Sequence, residues 1–438
     1  MTADSARGGT AAMLARMSEG ISQGRVPARI FNDPEVFDLE QRKVFGQAWC
    51  FLAHESEIPK PGDYVVRNIA DNSIIVVRDE HGQIHGNLNM CRHRGNQMCK
   101  SEMGNASHFR CSYHGWVYKN SGELIGVPYF KEAYNAQLDR TQWSLVRVRT
   151  ETYAGLIFGT LSAGAPDLAE YLGGFQFYLD IYLKQGPGGS EVHGPPDHWV
   201  ASTDWKICTE NFSGDGYHTP VAHQFGFHLG YFPSSGASHS QGWAVNIPGK
   251  GHSIGLGHTP GMPAFAGYPP ELVAKMRESL SAEQLDVFSK TRTAVGSVFP
   301  NLSFLIQPFS LVPGELGVRF CTMRLWHPIR PARMEMWSWC LVPKDASDEY
   351  KQAAYNAYTL TFGQAGTFEQ DDFENWTKVT RQAGSSMARE MDFPYLMGLD
   401  RQPLTVWPGP GHAVSPYVTD TNFRNLWTTW LDYMTGEG

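Results

Sequence analysis

The chain has 438 residues, with 44 acidic and 36 basic side chains and a net charge of −8. Acids and bases are interspersed, which argues against nucleic acid as a partner and leaves room only for a small docking patch. At this length two domains are the natural division, and no stretch approaches the roughly 20 apolar residues that a membrane-spanning helix needs.

Residues 1–47 read as helical and polar, and Met1 to Gly20 lacks the apolar core of a signal peptide. Asn32-Asp33-Pro34 is a helix start, with Asp33 as N-cap and Pro34 at the first helical position. The seven Cys are odd in number and without framework spacing, so free thiols and a reducing, cytoplasmic setting are expected. From about Phe51 to Leu161 short strands alternate with Gly, Pro and Asn turns, and Tyr153 to Gly159 reads as a closing buried strand.

Two short motifs sit inside this β-rich stretch. Cys91-Arg92-His93 and Cys111-Ser112-Tyr113-His114 each offer one thiolate and one imidazole, with 17 residues between His93 and Cys111. Gly95 and Gly115 follow the ligand groups, where a chain wrapping a cluster needs positive φ or close backbone approach. A [2Fe–2S] centre with two Cys on one iron and two His on the other requires this inventory. A structural zinc also accepts two Cys and two His, but its motifs usually group the two Cys before the two His.

Beyond Gly164 a new segment begins, with a short helix at Leu168 to Leu172 and loops around Gly186-Pro187-Gly188-Gly189. His218 and His223 lie five residues apart in Asn211-Phe212-Ser213-Gly214-Asp215-Gly216-Tyr217-His218-Thr219-Pro220-Val221-Ala222-His223. On a regular helix five residues turn the side chains apart by about 140°, and Pro220 forbids such a helix. An irregular segment could bring both rings together, as a site of two His and one carboxylate for iron requires. Gly236 to Pro270 has little periodicity and suggests a lid over a pocket, while Glu271 to Thr293 is helical in pattern. Strands follow at 303–306, 317–326 and 334–342, the last two as antiparallel neighbours, and a long helix runs from about Ala346 toward Thr380. It carries Glu369, Asp371, Asp372 and Glu374, which also read as a solvated acidic face.

The pattern Cys91-Arg92-His93-Arg94-Gly95 with Cys111-Ser112-Tyr113-His114-Gly115-Trp116 resembles Rieske iron–sulfur domains. Over nearly its whole length the chain resembles the large (α) subunits of Rieske non-haem iron aromatic-ring hydroxylating dioxygenases. Glu210 to His218 is similar to the mononuclear iron segment of naphthalene and biphenyl dioxygenase α subunits, and Phe362 to Asp372 to their carboxylate-ligand helix.

The resemblance implies one [2Fe–2S] cluster on Cys91, His93, Cys111 and His114, and one mononuclear Fe(II) on His218, His223 and Asp372, with Asp371 as the second choice. It implies that Asp215 links His218 to a cluster histidine, His114, of a neighbouring subunit, with an ordinary N-cap role as the plain alternative. It also implies that Asn211, Phe212, Phe362 and Phe368 stand around the iron. Gly216 and Thr219 are small where relatives often carry bulkier side chains, which suggests a roomier pocket.

The expected fold is α+β: a small antiparallel β Rieske domain (48–165) and a larger helix-grip catalytic domain on an antiparallel sheet (166–438), to which residues 1–47 return. The expected activity is cis-dihydroxylation of an aromatic ring, a polycyclic hydrocarbon being the guess, with O2 and electrons from a ferredoxin and its NAD(P)H-dependent reductase. A small β subunit, as α3β3 or otherwise α3 alone, is the expected assembly. Hydroxylation of an aromatic carboxylate is the alternative and needs a pocket cation; Arg319 and Arg324 are candidates, although both read as solvent-facing. A non-catalytic Rieske electron carrier and a zinc-stapled binding module are the remaining alternatives.

Overall fold

Short alternating strands punctuated by Gly and Asn can bury their apolar faces only by pairing in sheets, and amphipathic helices must then cover those sheets. The computed structural model describes residues 3–231, 241–310, 312, 315 and 317–436. It divides into two compact units, residues 45–168 and residues 1–44 together with 169–438. Among the described residues no helix is long and apolar enough to cross a membrane. All seven Cys are free thiols.

Residues 45–168 form a seven-stranded sheet and a three-stranded one, with every pairing antiparallel. The stretch from Tyr153 to Gly159 is a hairpin rather than one strand. Ala154 and Gly155, at φ of 53° and 83°, turn Arg147–Tyr153 into Leu156–Thr160.

The other unit is built on an eight-stranded sheet whose order is Ser190–Ala201, Arg333–Pro343, Val318–Arg330, Leu302–Phe309, Thr293–Val298, Ser253–Gly257, Gly242–Asn246 and His412–Val414. All of its pairings are antiparallel. The stretch 236–270, expected to be irregular and lid-like, is so only in part: Gly242–Asn246 and Ser253–Gly257 are paired sheet strands, 258–269 has no helix or strand, and 236–240 lie outside the described residues. The low periodicity had its cause in strands covered on both faces, whose residues do not alternate between apolar and polar. The expected long helix is two, Asp348–Thr361 and Thr367–Ala383. The chain breaks at Gly366, where a Cβ would lie 2.4 Å from the carbonyl of Thr361.

Helix Pro34–Lys43 starts as read, with Asp33 Oδ1 accepting from the backbone N–H of Glu35 and Val36. Its buried Glu40 accepts from the indole N–H of Trp205 (3.1 Å) and of Trp430 (2.8 Å) and pairs with Lys206 (2.8 Å). The 1–44 segment is thereby tied into the core of the unit built on the eight-stranded sheet.

Arg319 and Arg324 are both buried, not solvent-facing. Strand Val318–Arg330 is inside on both faces, so alternation does not mark an outer side. Arg324 holds Glu369 through both carboxylate oxygens (3.1 and 2.5 Å) and donates to the Phe362 carbonyl. Removing one partner of a buried pair strands the other charge, so Glu369→Ala is expected to destabilise by about 3–5 kcal/mol. Denaturant midpoints of parent and variant check this.

His252 is fully buried and held neutral: Nδ1 accepts from the Phe299 backbone N–H (3.1 Å) and Nε2 donates to the Tyr171 carbonyl (3.0 Å). Burial pushes its pKa down to about 3. The unfolded chain therefore takes up this proton first, below about pH 6.5, and the neutral ring's contribution is lost as pH falls toward the folded value. Between pH 7 and 5 the loss is about 2 kcal/mol from this group. Denaturation midpoints at both pH values should differ less in His252→Gln than in the parent protein.

Candidate metal centres and the adjoining pocket

The two Cys–His motifs fold into the same loop twice. Cys91 N–H donates to Asn96 O and Gly95 N–H to Cys91 O; Cys111 N–H donates to Trp116 O and Gly115 N–H to Cys111 O. Gly95 and Gly115 take φ of 74° and 73°, the left-handed turn that brings each loop back past its thiol. Both thiols are buried, whereas His114 is exposed.

The His93 and His114 rings lie 4.5 Å apart, and His93 stacks on Trp116. His93 Nδ1 is buried without a hydrogen-bond partner, a lone pair suited to a metal. Burial raises the Cys111 thiol, but the backbone N–H groups of Tyr113 and His114 and the Asn96 amide outweigh it, so its pKa lies below the ordinary thiol value.

The second centre lies in the catalytic unit. Helix Trp205–Phe212 is capped by Asp204, whose side chain accepts from Lys206 N–H. Gly214, at φ 116°, then turns the chain toward His218. Thr219–Ala222 makes one short helical turn with Pro220 in its first residues, where no intrahelical donor is lost, and His223 leaves it.

That irregular turn points both Nε2 atoms at Asp372 Oδ1, 3.4 Å from His218 and 3.2 Å from His223. His218, His223 and Asp372 can hold one metal ion. The outer Nδ1 atoms are oriented by Asp215 (3.2 Å from His218) and Asp371 (3.3 Å from His223), the arrangement by which carboxylates fix ligating imidazoles. Burial works against the Asp372 carboxylate, but hydrogen bonds from His218 and His223 hold its pKa well below the usual range.

Asp215 Oδ1 accepts from the backbone N–H of Tyr217 and His218, and Asn211 Nδ2 reaches Asp215 Oδ2 at 3.4 Å. One Asp215 oxygen thus braces the Tyr217–His218 turn and the other faces the His218 imidazole; the N-cap of Thr219–Ala222 is His218, not Asp215.

A largely apolar cavity opens on this triad. Phe212, Phe362 and Phe368 line it with Val295 and Leu305, and Asn211, Asp215 and Thr219 contribute as well. A second cavity shares Asn211, Asp215, His218 and Asp372 and extends to Glu210, Trp376 and Tyr395.

Gly216 does not enlarge the pocket. A Cβ there would sit 2.2 Å from the Tyr417 ring, so tyrosine fills the space glycine leaves. Arg292, Thr293, Gln307 and Tyr417 also line the cavity and were missed in the sequence. Strand parity held the signal for some of them. Thr293 and Val295 are two apart, as are Leu305 and Gln307, and Val295 pairs with Leu305, so the four share one sheet face.

Two iron-type centres, one in a small β unit and one in a sheet-and-helix unit beside an apolar pocket, define a Rieske oxygenase. Residues 48–149 match the Rieske [2Fe-2S] domain family and residues 189–417 the ring hydroxylating alpha subunit (catalytic domain) family. The chain is 36% identical to the α subunit of N,N-dimethyl phenylurea N-demethylase from Sphingobium sp. (strain YBL2), covering 95% of this chain and 93% of that one. It is 34% identical to a benzene 1,2-dioxygenase α subunit of Pseudomonas putida, over 94% and 91% of the two chains. The crystal structure of naphthalene 1,2-dioxygenase from Rhodococcus sp. bound to indole superposes with a TM-score of 0.94 at 44% identity, covering 98% of each chain. The chain belongs to the ring-hydroxylating dioxygenase α subunits, and its cofactors are a Rieske [2Fe–2S] cluster and a mononuclear iron.

Proposed function

We propose that this chain cis-dihydroxylates an aromatic ring, converting arene, O2, two electrons and two protons into a cis-dihydrodiol. The observation that carries the reading is the convergence of His218 Nε2, His223 Nε2 and Asp372 Oδ1 on the wall of a largely apolar cavity. When bound, the cluster supplies electrons singly and the mononuclear Fe(II) activates O2.

Cys91, Cys111, His93 and His114 would hold the cluster, and His218, His223 and Asp372, on the pocket wall, would hold the iron. Phe212, Phe362 and Phe368 offer a flat ring an apolar aromatic lining and exclude water. Asn211 and Asp215 orient His218, and Asp215 also meets His114 of a second copy, giving electrons a short path between centres. Such a path requires a head-to-tail ring of α subunits, α3 or α3β3 with a small β subunit. Ferredoxin and its NAD(P)H-dependent reductase deliver the electrons. The naphthalene dioxygenase likeness and the aromatic lining favour a polycyclic aromatic skeleton.

Arg319 and Arg324, the cations considered for an aromatic carboxylate, are committed elsewhere. Arg319 donates to the Ala266 and Thr291 carbonyls and Arg324 to Glu369. A purely electron-carrying role leaves the His218–His223–Asp372 set unused.

The test is iron analysis with electron paramagnetic resonance on dithionite-reduced protein, then turnover of naphthalene under 18O2 with ferredoxin and reductase. About three irons per chain and a diol carrying two labelled oxygens are expected. Two irons after Fe(II) reconstitution, or a product with one labelled oxygen, would overturn the reading.

A further inference from the structure

One wall of the pocket carries hydrogen-bond donors. Arg292 is 4% exposed and stands just before strand Thr293–Val298, held there by its backbone N–H to the Gly257 carbonyl (2.8 Å). Gln307 faces the same cavity from the neighbouring strand, and Thr293 lies beside Arg292. Tyr417 completes the wall. Its ring fills a slot framed by Gly216 and Gly255, where added Cβ atoms would sit 2.2 and 2.6 Å from it.

The guanidinium stays charged at neutral pH: burial and the nearby Arg319 lower it, only to about 10, while Tyr417 acts in the opposite sense. A hydrocarbon offers such a wall no acceptor. An oxygen on the ring does, and a guanidinium binds carboxylate or carbonyl oxygens through directed, charge-assisted hydrogen bonds. A site built around such a donor discriminates strongly against an analogue lacking the acceptor.

We propose that Arg292, with Gln307 and Tyr417, forms a specificity subsite for an acceptor oxygen carried on the aromatic ring, so that the preferred substrate is an arene bearing a carboxylate or carbonyl group. The inference rests on the pocket being the oxygenation site argued above, and it specifies the substrate class of that site. Arg292 is a specificity-determining residue here and takes no part in the chemistry of oxygen.

The test compares kcat/KM for naphthalene, 1-naphthoate and 1-acetonaphthone in the metal-loaded enzyme with its electron-transfer partners, alongside anaerobic binding of each ligand by calorimetry. The parent is expected to favour an oxygen-bearing arene, and Arg292→Met to lower the ratio of its kcat/KM to that of naphthalene about 10–100-fold. A fall for naphthoate alone identifies a carboxylate subsite, and a fall for both ligands a carbonyl-tolerant one. Arg292→Lys should retain part of the preference, and Gln307→Leu should lower it several-fold; these carry the test should Arg292→Met fold poorly.

An unchanged ratio in Arg292→Met and Gln307→Leu, with naphthalene still dihydroxylated, overturns the subsite and leaves the proposed function standing. Arg292-dependent binding of naphthoate without oxygenation of any arene supports the subsite and overturns the function.

Discussion

Asp372→Ala is expected to leave a protein with about two irons per chain instead of about three, and with no measurable ring oxidation. Asp372 Oδ1 is the oxygen toward which both imidazole Nε2 atoms point, and Asp371 reaches only the outer nitrogen of His223. Removing an outer partner of a metal ligand commonly lowers activity 10–100-fold, so losing the ligand itself should exceed about 100-fold. The cluster's reduced spectrum should persist, because Cys91, His93, Cys111 and His114 belong to the separate 45–168 unit. Asp371→Ala gives the contrast: iron retained at reduced affinity, with partial turnover. If Asp371→Ala emptied the site while Asp372→Ala kept it filled, the two aspartates would have to exchange roles.

Asp215→Ala should behave differently, with both metals present and turnover down about 100-fold. Its Oδ2 orients His218 Nδ1 while Oδ1 braces the following turn, so one substitution removes two functions. Asp215→Asn separates them: it can still accept from the turn, yet offers His218 no negative charge. For an electron-path role, kcat should fall in both variants while KM stays near the parent value, and single-turnover transfer from reduced cluster to iron should slow in parallel. Parent-level turnover in Asp215→Ala would remove Asp215 from the path.

The cluster motif was the most legible part of the chain, because ligand identity and turn glycines occupy neighbouring positions. His218 and His223 were harder to read, since five-residue spacing has no regular geometry; the short Pro220 turn supplies one. Choosing between Asp371 and Asp372 depended on likeness to relatives, because adjacent carboxylates differ only in which way the helix aims them. Arg292, Gln307 and Tyr417 went unread because they come together only through sheet register and a glycine slot. Arg319 and Arg324 were misread for a related reason: charge in an alternating strand signals solvent only when one face is open. The long helix was extended across Gly363 and Gly366, although two glycines three apart inside a helical pattern are themselves a break signal.

Glu40 and Trp430, joined by a hydrogen bond in the catalytic unit, are 390 positions apart in the chain. During synthesis the cluster-bearing segment is contiguous and can fold as soon as it emerges. The first 44 residues must wait for Thr421–Thr435, an interval of roughly 20–80 s at ordinary ribosomal rates. Through that interval the iron-site half is an incomplete core with apolar surface uncovered. Slow translation through the region of Thr421–Thr435, or termination before it, would therefore harm the oxygenase half while sparing the electron-accepting half. Expression conditions that favour rapid completion of the chain should raise the yield of protein carrying both metals.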